Sequence, residues 1–251
     1  MATIEKQFIH DIPVLSCSPK GKTPKPLVLL SHGFSRSKHD WEGKLEQLAE
    51  QGYYAVALDN RLHGERIGPN FNAVAFVDGK LDIYEIRKAI KATADDVKVL
   101  IEYFSQRQDI QADRIGMTGV SMGGYTTFRA LVVDPRITVA APIIGSPYWD
   151  DVPENVPLLQ TPENTRQLQD YAKAYSPANA LDVFYPRAIL MQNGRKDPHF
   201  ALARIEQFYQ QLQAAYQQEP AKVQLIIHDN VGHDFTETMW EHVLDWFQKY
   251  L

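Results

Sequence analysis

The chain has 251 residues, enough to bury one large core, and its 44% hydrophobic and 23% charged content is that of an ordinary globular protein. Its formal net charge of −5, with acidic and basic residues interleaved, disfavours a nucleic-acid-binding protein, which would carry a basic patch. The single cysteine, Cys17, rules out an intrachain disulfide and a cysteine-based zinc site.

The N-terminal residues 1–14 lack the charged and apolar regions of a secretory signal. No apolar run approaches the ~18 residues that a membrane-spanning helix needs. The sequence therefore predicts a soluble cytoplasmic protein with no membrane span and no nucleic-acid partner. Whether the protein forms a homodimer is left open.

Short, continuous apolar runs predict buried parallel strands. They lie at 26–30, 53–58, 114–120, 137–144, 187–191 and 223–227. The residues near 6–17 are expected to form an antiparallel edge. Apolar residues at helical spacing lie between the strands, most clearly from Ile83 to Phe104 and at about 235–250. This alternation predicts one α/β domain over 1–251, with a doubly wound, mostly parallel sheet and helices on both faces.

Residues 148–180 separate two predicted strands by far more than the usual loop of 2–6 residues. A short amphipathic helix is expected at about 164–174. The segment also carries four aromatic residues, Tyr148, Trp149, Tyr171 and Tyr175. This composition predicts a packed helical lid inserted into the domain.

The sequence Gly119-Val120-Ser121-Met122-Gly123 fits the pattern G-x-S-x-G, between a predicted strand and a predicted helix. In a nucleophile elbow the serine occupies a strained turn, and the glycines let strand and helix approach each other. Serine needs a base, and the base needs an orienting acid. Ser121 is therefore the predicted nucleophile.

Asp197 and His233 follow the next two strands after the insertion, in the order acid and then histidine. We predict Asp197 as the orienting acid and His233 as the base. His228, at the end of its strand, is an alternative base that is better explained as a structural histidine. His199 lies too close to Asp197 in sequence to be its receiving partner, although it could line the pocket. Without a third ligand set, His228 and His233 predict no metal site.

An oxyanion formed at the nucleophile needs two N–H donors held in place. The backbone N–H of Met122, directly after the nucleophile, is one candidate. Phe34, in the loop after the first long buried strand, is the other, with His32 expected to support that loop. Apolar walls of the substrate pocket are predicted from Tyr148, Trp149, Phe200 and Phe235.

Five segments together resemble the α/β-hydrolase superfamily: SHGF (31–34), LDNRLHGER (58–66), GVSMGG (119–124), NGRKD (193–197) and GHDF (232–235). The resemblance is greatest to small bacterial carboxylesterases related to dienelactone hydrolases and to the catalytic domain of prolyl-oligopeptidase-type peptidases. It runs from about residue 10 to 250 and is weakest in 148–180. It implies a triad of Ser121, Asp197 and His233, with Phe34 and Met122 as oxyanion donors.

Two departures from this pattern matter. Dienelactone hydrolases use a cysteine nucleophile where this chain has Ser121, which speaks against their substrate. Pro198 follows Asp197 directly, so the acid loop is expected to differ in shape.

The predicted function is a serine hydrolase without cofactor that cleaves short-chain carboxylic esters of small molecules. The alternatives are a small peptidase or amidase of the prolyl-oligopeptidase type, and a non-catalytic binding protein on the same fold. The chain is short for a peptidase that selects oligopeptides with a propeller domain. Non-catalytic relatives commonly lose a triad residue or an elbow glycine, and this chain has them all.

Overall fold

The computed structural model describes residues 3–21, 23–68, 71–153, 156–199 and 201–251. The strands are β1 (Ile4–Ile9), β2 (Ile12–Cys17), β3 (Lys25–Ser31), β4 (Tyr54–Leu58), β5 (Phe76–Val77), β6 (Lys80–Leu81), β7 (Ile110–Val120), β8 (Ile137–Ile143), β9 (Ala188–Gly194) and β10 (Val223–His228). The helices are α1 (Glu42–Glu50), α2 (Phe71–Ala75), α3 (Ile83–Ser105), α4 (Met122–Val133), α5 (Pro162–Tyr175), α6 (Leu202–Ala215) and α7 (Glu237–Tyr250).

Eight strands form the main sheet, in the order β1-β2-β4-β3-β7-β8-β9-β10. The strands from β4 to β10 in this order run parallel, and β2 is antiparallel to both β1 and β4. The predicted doubly wound sheet with an antiparallel N-terminal edge is therefore confirmed. Because the chain moves outward from β3 in both directions, the carboxyl ends of β3 and β7 lie side by side at the switch point.

Strand β7 begins at Ile110, four residues before the predicted run. Its pairing with β3 is irregular, since Pro26 pairs with Gln111 and Leu27 pairs with Ile115. The polar residues between these two pairs interrupt the apolar pattern. The pattern therefore revealed the continuously buried part of the strand and missed Ile110, which is buried but set apart from it.

Two hydrophobic layers cover the sheet. On one face, α3, α4 and α6 pack against the strands through buried residues that include Leu100, Phe128 and Phe208. On the other face, α1 and α7 do so through residues that include Leu45 and Trp240. Helices therefore cover both faces, as the α/β alternation predicted.

The segment 148–180 leaves β8 and contains α5, which packs against α3 through the rings of Tyr171 and Tyr84, 5.5 Å apart. Leu81 of β6 holds the segment by two backbone hydrogen bonds, with the carbonyl of Pro157 at 2.8 Å and the N–H of Leu159 at 2.9 Å. Within the described ranges, no helix combines the length and apolar character needed to cross a bilayer.

Candidate active site

Ser121 lies in the turn between β7 and α4 with φ of +56° and ψ of −114°, a conformation that a residue with a side chain rarely adopts. Its N–H donates to the carbonyl of Ile143 at 2.9 Å, and its carbonyl accepts from Tyr125 at 3.0 Å. These bonds hold the strained backbone on both sides. Ser121 directly follows the carboxyl end of β7 in this strained turn, which is the arrangement that a nucleophile elbow requires.

The glycines around Ser121 are needed because three backbones meet there. A Cβ on Gly119 would lie 2.8 Å from the carbonyl oxygen of Ser31, and one on Gly124 would lie 2.6 Å from that of Ile143. Both distances are shorter than real Cβ contacts. The elbow can therefore form only where these residues lack side chains.

Ser121, His233 and Asp197 form a continuous chain of hydrogen bonds. The distance from Ser121 Oγ to His233 Nε2 is 2.7 Å, and that from His233 Nδ1 to Asp197 Oδ2 is 2.6 Å. A carboxylate can only accept, so Nδ1 carries the proton and Nε2 accepts from the serine hydroxyl. The side chains come together because β7, β9 and β10 end at the same edge of the sheet.

Asp197 is buried beneath the two rings that it contacts. Its Oδ1 accepts from the backbone N–H of His199 at 2.9 Å and lies 3.1 Å from His199 Nδ1. Burial raises the pKa of Asp197, but the hydrogen bonds from His199 and His233 outweigh burial and lower the pKa to about 2. Asp197 is therefore a carboxylate throughout the neutral range.

The ring of His199 also stacks on that of His233, with centroids 3.8 Å apart and planes inclined by 28°. Sequence reasoning placed His199 near the pocket and missed this contact. The spacing Asp197-Pro198-His199 signals only the contact with the carboxylate, because a side chain two residues on can return to it. The two imidazoles thus share one acid.

The predicted oxyanion donors flank the nucleophile. Met122 is the first residue of α4, where N–H groups have no partner inside the helix. A Cβ on Gly33 would lie 3.8 Å from Ser121 Cβ, so the loop that carries Phe34 passes directly beside the serine. In the described part of the chain, the N–H groups of Phe34 and Met122 have no hydrogen-bond partner.

His32 supports that loop from behind. It is 1% exposed, its Nδ1 lies 2.7 Å from the carbonyl oxygen of Gly33, and its Nε2 accepts from the N–H of Asn60 at 3.0 Å. Burial is the main reason that the pKa of His32 falls to about 4. A neutral histidine therefore joins the ends of β3 and β4, as expected.

The residues predicted to form the pocket walls differ in how much of their surface is exposed. Trp149 has no exposed surface and stacks on Tyr171 at 5.9 Å, in a cluster that includes Met122. An enclosed ring offers a substrate no surface, so Trp149 is a packing residue in this structure and does not line an open cleft.

Two other predicted wall residues, Tyr148 and Phe235, differ from Trp149. Tyr148 is half-buried against Phe208 and beneath Arg204, and Phe235 is half-buried against Trp41. Phe200 lies outside the described residues. The side chains of Tyr148 and Phe235 thus keep free surface.

His228, the alternative base, is engaged elsewhere. Its Nε2 lies 3.2 Å from Oε1 of Gln192, and the same oxygen lies 3.0 Å from Nδ1 of His242. This network joins β9, β10 and α7. The contacts are those of the structural histidine that the sequence favoured.

One group in the described ranges has the composition of a metal site: Asp197, His199 and His233 hold ligand atoms within 4.8 Å of one another. A carboxylate and two imidazoles suit zinc or iron. Lone pairs that lie in nearly parallel, stacked rings do not meet at one point, however. Each Nδ1 also already faces a carboxylate oxygen, so the arrangement suits hydrogen bonding better than a metal ion.

Comparison with known proteins adds the family. Residues 41–251 match the Prolyl oligopeptidase family. The chain belongs to this family. Its members are hydrolases, so the chain is a hydrolase, and the sheet described above is the α/β-hydrolase fold expected from the resemblance.

Three individual proteins are similar over most of their length. "Putative esterase YitV" of Bacillus subtilis is 27% identical, with all of both chains covered. "Esterase YjfP" of Escherichia coli is 25% identical over 78% of this chain and 79% of its own. The crystal structure of TT1662 from Thermus thermophilus superposes with a TM-score of 0.78 at 22% identity, over 99% of this chain and 98% of that one. At this level of identity, the similarity to TT1662 shows a common fold and nothing about activity.

Proposed function

We propose that this member of the prolyl oligopeptidase family is a serine carboxylesterase that cleaves short-chain esters through an acyl-enzyme intermediate. The observation that carries the proposal is the hydrogen-bonded chain from Ser121 through His233 to Asp197, with distances of 2.7 and 2.6 Å. The similarity to proteins named as esterases supports the choice of ester over other substrates.

In the proposed reaction, His233 Nε2 takes the hydroxyl proton as Ser121 Oγ attacks the ester carbonyl carbon. The carboxylate of Asp197 stabilises the imidazolium that results. The N–H groups of Phe34 and Met122 donate to the tetrahedral oxyanion, where fixed donors contribute most to the rate. Nothing in this scheme needs a metal or a cofactor.

His233 then gives its proton to the leaving alcohol, and the C–O bond of the ester breaks. Water attacks the acyl-enzyme by the same route, with His233 as base, and releases the acid and the free serine. The acyl-enzyme divides one difficult hydrolysis into two easier steps.

A short acyl chain is proposed because the insertion is packed tightly beside the nucleophile. Trp149 and Met122 belong to one buried cluster, and Arg87 ties the insertion to α3 through the carbonyl of Trp149 at 3.1 Å. Each buried CH₂ gains only ~0.8 kcal/mol, whereas forcing extra groups into packed space costs ~1–3 kcal/mol. Long chains therefore gain little here.

The test compares p-nitrophenyl esters of two, four, twelve and sixteen carbons with the matching p-nitroanilide amides, in the parent and in Ser121→Ala. The proposal expects the highest kcat/KM for the acetate or butyrate ester and at least a thousandfold loss in the variant. Amide turnover above ester turnover would support the peptidase alternative instead. No turnover of any substrate by the folded parent would favour a binding protein.

A further inference from the structure

Asp197 serves two imidazoles at once. Its Oδ2 accepts from His233 Nδ1 at 2.6 Å, and its Oδ1 lies 3.1 Å from His199 Nδ1. The side chain of Asp197 is fully buried, whereas those of His233 and His199 are 23% and 28% exposed. The carboxylate of Asp197 thus contacts the rings of both His233 and His199, and of these two rings His233 contacts Ser121.

The ring of His199 lies on one face of the His233 ring at 3.8 Å. Rotation of His233 about its Cβ–Cγ bond would break this stack and also the hydrogen bonds at both of its nitrogens. The His233 side chain is 23% exposed, and without the stack its two hydrogen bonds would carry more of the restraint on the ring. The ring of His199 therefore restricts the orientations that the His233 ring can adopt.

We propose that His199 is a positioning residue for the hydrolysis of the proposed function, acting through His233 and Asp197. Its ring keeps the His233 imidazole in the plane that reaches Ser121 Oγ. Its N–H groups occupy Asp197 Oδ1, so that one carboxylate oxygen alone faces His233. His199 itself contacts no reacting atom.

The stacking of the His199 ring and its hydrogen bond to Asp197 are expected to change different kinetic quantities. Restricting the ring of His233 raises the fraction of molecules ready to react and thus raises kcat. Donation to Oδ1 spreads the carboxylate charge and weakens its stabilisation of the His233 imidazolium. Loss of the side-chain donation, with the backbone N–H of His199 still bound to Oδ1, therefore moves the acid limb of kcat/KM to higher pH.

Two titratable groups contact His199 in the part of the chain that the structure describes, Asp197 and His233. The nearby cations are directed elsewhere. Arg195 pairs with Asp229, Lys196 with Asn230, and Arg204 with Asp150 and Asp151. The pH dependence is thus expected to follow the shared carboxylate.

Three variants separate the effects. His199→Phe retains a ring that can stack but donates no side-chain hydrogen bond, His199→Asn retains an N–H donor without the stack, and His199→Ala lacks both. We expect kcat to fall about tenfold in His199→Ala and His199→Asn and less than about threefold in His199→Phe. We expect the midpoint of the acid limb of kcat/KM to shift by about 0.3 pH unit or more to higher pH in His199→Phe and His199→Ala. In His199→Asn we expect it to stay at the parental pH.

A second measurement does not depend on turnover. In Ser121→Ala, ring ¹⁵N NMR of His233 follows its titration with and without His199→Phe. A higher midpoint in the His199→Phe background supports the proposal, and an unchanged midpoint together with parental kcat in all three folded variants overturns it. Activity that survives Ser121→Ala would instead refute the proposed function, while the NMR comparison still decides the role of His199.

Discussion

The backbone of Gly123 lies directly against the carbonyl group of Ser31, so that a Cβ at Gly123 would overlap the Ser31 oxygen. This contact joins the first turn of α4 to the end of β3. It brings the nucleophile and the oxyanion loop together, because Ser121 lies two residues before Gly123 and Phe34 three residues after Ser31.

Gly123→Ala is therefore expected to separate β3 from α4 and to remove nearly all hydrolysis. We expect a loss of at least a hundredfold in kcat/KM with a lowered melting temperature. Gly43→Ala is the matched control, since a Cβ there meets no atom within 4 Å and Gly43 lies in helix α1. The control should retain activity and gain about 0.5–1 kcal/mol in stability. Equal activity of the two variants would contradict the packing argument.

Ser121→Ala should abolish turnover while leaving the fold intact. A fluorophosphonate should add its mass to the peptide that contains Ser121 in the parent and to no peptide in the variant, because the Ser121 hydroxyl is the one activated by a histidine base. Mass spectrometry of the digested protein measures this. A label on another serine would assign the role of nucleophile to that residue and contradict the assignment to Ser121.

His233→Ala should lose at least a thousandfold in kcat, since Ser121 then has no base. His228→Ala is the control, because its ring contacts Gln192 rather than Ser121. It should keep most of the activity. The carboxyl group of Asp197 does not set the acid limb of kcat/KM, since its pKa lies at about 2. Parental activity in His233→Ala together with an inactive His228→Ala would reverse the assignment.

Trp149→Ala should lower stability, because the ring is fully enclosed. Removing a buried tryptophan side chain costs about 3–5 kcal/mol, measured as the free energy of unfolding in urea. Trp149→Phe keeps an aromatic ring against Tyr171 and should cost less. The acyl-length profile should stay that of the parent in Trp149→Phe. A change in that profile without loss of stability would place Trp149 in the pocket after all.

Stability should fall as pH drops from 7 to 4.5, partly because of His32. Its pKa is about 4 in the folded protein and about 6.5 when unfolded, so the unfolded state binds more protons in this window. The expected loss is about 2–3 kcal/mol, fully recovered above the unfolded pKa. Urea titrations of the parent and of His32→Asn measure it, and the variant should show a flatter dependence. The same slope in both would assign the effect to other groups.

Much of the fold was predictable because its signals are local. Continuous apolar runs correspond to β3, β4 and β7–β10, and the stripe from Ile83 to Phe104 corresponds to α3. The start of β7 was missed, because Ile110 and Gln111 pair with β3 before an irregularity and do not continue the apolar run. A hydrophobic pattern reports continuous burial, and exposed residues separate the buried Ile110 from the buried run that starts at Ile115.

The sequence by itself determined which residues could act and in what order they follow the strands, because parallel strands bring their carboxyl ends to one edge. The turn of Ser121 and the positions of Asp197 and His233 follow from that rule. Only the tertiary structure decided that Trp149 is enclosed by α5 and that His199 stacks on His233. Both outcomes depend on how distant loops pack against one another, and side-chain packing between distant segments leaves no period or spacing in the sequence.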